Sequence, residues 1–180
     1  MNRRDVLWVP LVLAFGQSAG AHTPYGQWVV YRKKHLLIGA HRADPPTYAE
    51  AKRLAALLAE HLPKSRSRVA RAPTAGRLAS LLGTDQLDVA VLSKADAVAM
   101  RDGQGQFAPY GKIPISLLAE LGPYVLVAHA RFADRHAWLV SKTLMSEEGG
   151  RPASSSAPSG GMTWHAGTQM YLDGKPEPHN

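Results

Sequence analysis

The chain contains no cysteine, which removes disulfide frameworks, thiolate nucleophiles and thiolate metal sites together. It also lacks a long hydrophobic run: Val6 to Phe15 is too short for a membrane span and is interrupted by Pro10. No Gly-x-Ser-x-Gly elbow is present to expose a serine nucleophile. The turn Gly39-Ala-His-Arg-Ala43 lacks the glycine spacing of a dinucleotide site or a phosphate-binding loop. Asp44, Asp88 and Asp96 are scattered, so the paired carboxylates of many acid–base sites are missing as well. These absences point to a binding protein rather than an enzyme, and no cofactor is implied.

The formal charge is +7 and the pI about 9.9. Such a balance invites a nucleic-acid reading, but its distribution argues against one. Arg3-Arg4 lie at the chain start, and Arg32-Lys33-Lys34, Lys64, Arg66, Arg68 and Arg71 fall in connections or at strand edges. No helix carries a basic stripe interleaved with aromatics. The charge reads as a solvated, anion-tolerant surface, with no nucleic-acid partner.

Residues 1–21 have the three parts of a secretory signal: Arg3-Arg4, the apolar Val6 to Phe15, and the small-residue site Ala19-Gly20-Ala21. Arg3-Arg4-Asp5-Val6-Leu7 fits a twin-arginine signal as well as a general-secretion one. Either route leads to the periplasm. Cleavage after Ala21 would leave His22 first, where its amine and imidazole, with a second imidazole, can hold copper. The other histidines show no metal-ligand spacing, such as a pair at i, i+4 on one helix.

Residues 22–148 read as one domain in which strands and amphipathic helices alternate. Tyr25, Trp28, Val30 and Tyr31 form an apolar lead-in. The segment His35 to His41 carries Leu36, Leu37 and Ile38 in succession, as a central strand covered on both faces does. Pro45-Pro46 delay the first helix to Thr47, which can cap a run to Leu62 with Ala51, Leu54, Ala55 and Leu58 on one side. A second strand is expected at Arg68–Arg71, a helix from Pro73-Thr74 to about Leu82, and a third strand at Asp88–Ser93. A short helix, Lys94 to Arg101, would carry Val98 inward. Gln104 to Pro114 reads as a surface loop, Ile115 to Leu121 as a short apolar segment, Tyr124 to Ala128 as a fourth strand, and Phe132 to Leu144 as a helix. Residues 149–161 have the composition of a flexible linker, and residues 162–180 form a tail whose Trp164 and Tyr171 suit docking back onto the core. The expected fold class is α/β: a single open, mostly parallel sheet with helices on both faces.

In such sheets the loops at the carboxyl ends of the strands form the binding edge. The candidates there are Arg42, Asp44, Thr47 and Tyr48 after the first strand, Arg71 and Thr74 after the second, and Ser93 after the third. Thr47 and Thr74 can equally be helix caps, Arg71 a surface charge, and Ser93 a cap or ligand donor. Free helix amides at Thr47 and Thr74 would add positive charge for an anionic group.

In order, the chain offers an apolar strand at Leu36 to Gly39, Thr47-Tyr48 opening a long helix, a strand at Val69 to Pro73, and Leu87-Asp88-Val-Ala90. Near the end come Trp164-His165-Ala166-Gly167 and Tyr171. This series resembles the periplasmic solute receptors of TRAP transporters, specifically the TAXI type. The resemblance implies one lobe of a periplasmic-binding-protein-like fold, a small polar or anionic solute, and His165 as a further ligand residue. Those receptors close two lobes on the solute, and here most of a second lobe has no sequence to build it. Their glycine-rich first loop is replaced by Arg42-Ala-Asp-Pro-Pro46. The implied function is therefore an exported solute-binding-like protein, or an accessory subunit partnered with a membrane transporter. The alternatives are a periplasmic interaction protein without a solute and a copper-binding protein through His22.

Overall fold

The computed structural model describes residue 31, residues 34–147 and residues 158–179. The proposed signal segment, His22, most of the lead-in and most of the linker lie outside the described residues. The sheet has five strands: β1 Leu37–His41, β2 Arg68–Ala72, β3 Val89–Ser93, β4 Ile115–Leu121 and β5 Tyr124–His129, in the order β2-β1-β3-β5-β4. β1 runs parallel to both β2 and β3, and His41 stands opposite Ala72. β5 is antiparallel to β3 and to β4. The chain is thus α/β with one open sheet, parallel through β2, β1 and β3 and extended by a hairpin.

The hairpin is where the segment expected to be merely apolar, Ile115 to Leu121, becomes a strand. The turn through Gly122 and Pro123 is too short for a crossover, so β4 and β5 must pair antiparallel. Gly122 takes the left-handed conformation with φ +62°.

The helices are α1 Pro45–His61, α2 Ala75–Gly83, α3 Lys94–Asp102, α4 Asp134–Glu147 and α5 Ala166–Leu172. α1 starts two residues before Thr47, because Pro45 and Pro46 occupy the first turn, where a fixed φ and a missing N–H cost nothing. Thr47 is not its cap. The preceding residue is Asp44, whose side chain makes no cap bond, and Thr47 is fully buried with its hydroxyl donating to the Asp44 carbonyl at 2.9 Å.

Two apolar layers sandwich the sheet. On one face Leu54 and Leu58 of α1 and Ala137, Val140 and Leu144 of α4 cover Ile38, Val91 and Leu126. On the other, Leu78 and Leu82 of α2 and Ala97 and Met100 of α3 cover Ala90, Leu92 and Val127. The two crossover helices, α1 between β1 and β2 and α2 between β2 and β3, thus lie on opposite faces, as right-handed crossovers in opposite directions from β1 and β2 require. Gly39 permits the close approach of the second layer: a Cβ there would run into Leu87 and lie 2.6 Å from Leu78 Cδ1. Val98, expected inward, is only half-buried, and Ala97 and Met100 take its place. The expected surface loop likewise carries Phe107 and Ile113 into this layer, with a short 3-10 turn at Gly105–Tyr110.

The tail closes the β4 edge. Leu117 N–H donates to the Thr163 carbonyl and His165 N–H to the Leu117 carbonyl, both at 2.9 Å, which joins Trp164 beside Leu117. α5 then packs on α4. Ser141 and Thr168 share a buried hydroxyl bond of 2.8 Å, and Ser141 donates onward to the Leu118 carbonyl. Tyr171 meets the Trp138 ring edge-on, and Trp138 Nε1 donates to the Lys175 carbonyl.

Candidate functional site

β1, β2 and β3 all end at one edge, and α1, α2 and α3 all begin there. The alternation of a strand puts Leu37, Gly39 and His41 on one face of β1, the face covered by α2 and α3. His41 is therefore flanked by the ends of β2 and β3 and by the N-termini of the two helices that follow them. Its side chain is nearly enclosed, with 5% exposure, and neither ring nitrogen has a hydrogen-bond partner among the described residues. A buried imidazole offers one donor and one acceptor, and leaving both unmet costs of order 1–3 kcal/mol.

Around it the hydroxyls are committed to the helices. Thr74 Oγ1 accepts from Arg77 N–H at 3.2 Å and caps α2; Ser93 Oγ accepts from Asp96 N–H at 3.1 Å and caps α3. The cap leaves other amides in the first turn of each helix without intrahelical acceptors, so the edge keeps its partial positive charge. Arg42 is exposed, and its N–H donates to the Ala72 carbonyl at 2.9 Å. Arg71 lies over the Tyr48 ring, 4.6 Å from its centroid, with Lys52 at 5.9 Å from the same ring. Asp44, half-buried, Arg77 and Asp96 in the first turns of α2 and α3, and the Lys94–Glu120 pair at 4.0 Å are further charged groups at this edge; the Asp96 carboxylate accepts from Gln106 Nε2 at 3.0 Å. The turn at Gly122 and Pro123 reaches the same edge, where Lys94 N–H donates to the Pro123 carbonyl.

The structure thus brings Arg42, Asp44, Tyr48, Arg71, Thr74 and Ser93 to one edge. It does not bring His165 there. β5 runs the other way, so α4 begins at the opposite edge, and His165 packs on that beginning. It is 3% exposed, its Nδ1 accepts from Gly167 N–H at 3.3 Å, and the Asp134 carboxylate is 3.7 Å away. Burial lowers its pKa, against the opposing pull of Asp134 and of a bond to the Phe132 backbone. Gly167 is equally constrained: a Cβ would overlap the Asp134 carbonyl and stand 2.7 Å from its carbon. The Asp88 carboxylate is also at the far edge, holding Arg131 at 3.0 Å.

His41 is the residue that sequence reasoning passed over. Its signal was a lone polar side chain at the last position of an apolar strand. Among the described residues no group of three or more His, Cys, Asp or Glu side chains comes together for a metal, and no helix is long and apolar enough to cross a membrane. His22, the copper candidate, lies outside the described residues. Set against models of protein families and against curated proteins, the sequence gives no match.

Proposed function

We propose that the protein is an exported, single-lobe solute-binding protein of the periplasmic-receptor type, holding a small polar or anionic solute at the carboxyl edge of its sheet. The observation that carries this reading is His41: a buried imidazole with both nitrogens unpartnered among the described residues, at the point where two helix N-termini meet a strand end. A solute carrying an anionic oxygen satisfies the imidazole and the helix amides together. Arg42, Thr74 and Ser93 border that point; Arg71, stacked on Tyr48, stands at the same edge on the α1 face of the sheet, and Asp44 suits a donor group on the solute. The TAXI-type resemblance supports the same edge. β4 arrives at it and β5 leaves it, joined by the Gly122-Pro123 turn with no sequence between them for the second lobe of a two-lobed receptor. An edge without that lobe is open, which favours an accessory role in which a membrane transporter or another periplasmic protein supplies the cover.

The test is a thermal-denaturation screen of the protein against carboxylates, amino acids and phosphate-type anions. A solute at ~100 times its dissociation constant adds about 2.7 kcal/mol and raises the midpoint by several degrees. His41→Phe and Arg42→Gln should each remove most of that rise. Stabilisation that survives both substitutions, or none with any solute class, would overturn the solute reading in favour of an interaction protein.

A further inference from the structure

The opposite edge of the sheet carries a cleft of about 550 Å³ that the solute reading does not use. It opens between the C-terminal end of α1 and the first turns of α4, over the start of β1. The volume is within the roughly 300–1,000 Å³ typical of small-molecule sites. Its lining is mixed, with polar groups such as His35, Gln86 and His136, and one part of the wall is aliphatic: Leu36 precedes β1, Leu62 follows α1, and Leu139 and Val140 belong to α4. Leu36, Leu62 and Leu139 are only half-buried.

Its rim is cationic, and the cations divide into two kinds. Arg131 is consumed by Asp85 and Asp88, and Arg135 by Glu177 at 2.5 Å. Lys34 and Lys64 are exposed and make no ion pair among the described residues. They lie on adjoining segments, because Leu36 N–H donates to the Ser65 carbonyl at 2.8 Å and Arg68 N–H to the Leu36 carbonyl at 2.9 Å. The acid in the lining, Asp88, is already paired with Arg131. The cleft therefore presents two ammonium groups without an ion-pair partner among the described residues, beside a partly aliphatic wall.

We propose that this cleft binds an amphiphilic monoanion of the free medium-chain fatty-acid type. Its carboxylate sits between Lys34 and Lys64, and its alkyl chain lies along Leu36, Leu62, Leu139 and Val140. A fully polar anion leaves the wall exposed to water, and a neutral alkane leaves the ammonium pair unmatched. An amphiphile answers both.

Titration calorimetry of the protein with decanoate, kept below its micelle concentration, tests this, with decanol and acetate as the two halves of the ligand. Decanoate should bind, decanol at least tenfold more weakly, and acetate not measurably. Lys34→Gln together with Lys64→Gln should weaken decanoate at least tenfold while leaving the melting midpoint unchanged, since both side chains are exposed. Leu139→Gln should weaken it through the wall. His41→Phe should leave it unaltered, which separates this cleft from the carboxyl-edge site. Absence of decanoate binding, equal binding of decanol, or binding insensitive to the double substitution would overturn the proposal. Binding only to phosphatidylglycerol vesicles would overturn it too, since it would place the anion in a bilayer surface rather than in a free ligand.

Discussion

Arg131 ties the end of β5 to the start of β3, and replacing it with methionine keeps the apolar stem while removing every donor. Two kinds of partner are lost. Asp85 at 2.6 Å and Asp88 at 3.0 Å have side chains 78% and 51% exposed, so these pairs are solvent-screened and worth together about 1 kcal/mol or less. The carbonyls matter more. Leu82 lies in the last turn of α2, where carbonyls lack intrahelical donors, and Leu87 precedes β3. Both accept from the guanidinium, at 3.1 and 2.7 Å. Losing a charged donor at each costs about 1 kcal/mol apiece. The total for Arg131→Met is about 2–3 kcal/mol, read as a lower urea midpoint at unchanged slope. Asp85→Asn with Asp88→Asn should cost under about 1 kcal/mol, and 1 M salt should leave most of the arginine's contribution in place. The reasoning fails if the double Asn variant matches Arg131→Met, or if Arg131→Met changes stability by less than about 0.5 kcal/mol.

Gly167→Ala should destabilise the protein by about 1–3 kcal/mol, the range for overpacking, because the methyl meets Asp134 backbone that cannot swing away; a melting curve matching the parent would refute this. The His165 pKa is lowered on folding, so the unfolded chain takes up its proton first as pH falls. Stability should accordingly be full above the unfolded value near 6.5 and decline as pH drops from there through the folded pKa. His129, also lowered by burial and by Arg131, adds to the same slope. His165→Gln should flatten the decline measured by urea titration between pH 7 and 5; an unchanged slope would show that the buried imidazole is not its source.

The periodic elements were legible because local pattern and final environment agree. Leu36-Leu37-Ile38 is the continuous apolar run of a central strand, and Ala51, Leu54, Ala55 and Leu58 recur at the spacing of one helix face. The Thr74 and Ser93 caps were legible for the same reason, since each acts on amides two or three residues away. Where two signals competed, the reading went astray. Pro45 and Pro46 read as a barrier to the helix, yet in its first turn a proline loses no bond. The segment 104–114 looks like surface by its Gly, Gln and Pro content, but Phe107 and Ile113 find room between α2 and α3.

Sequence by itself determined the α/β alternation, the parallel core of β2, β1 and β3, the edge at which their helices begin, and the residues Arg42, Thr74 and Ser93 that border it. These follow from hydrophobic period and from the handedness of crossovers, which are local or universal. Tertiary structure alone decided that β4 and β5 pair as an antiparallel hairpin, that Trp164 closes the β4 edge, and that His165 stands across the sheet from the other candidates. It also decided that the His41 ring is enclosed without a partner among the described residues and that Lys34 and Lys64 come to one cleft. Each of these depends on contacts between segments distant in the chain, which spacing along one segment does not encode.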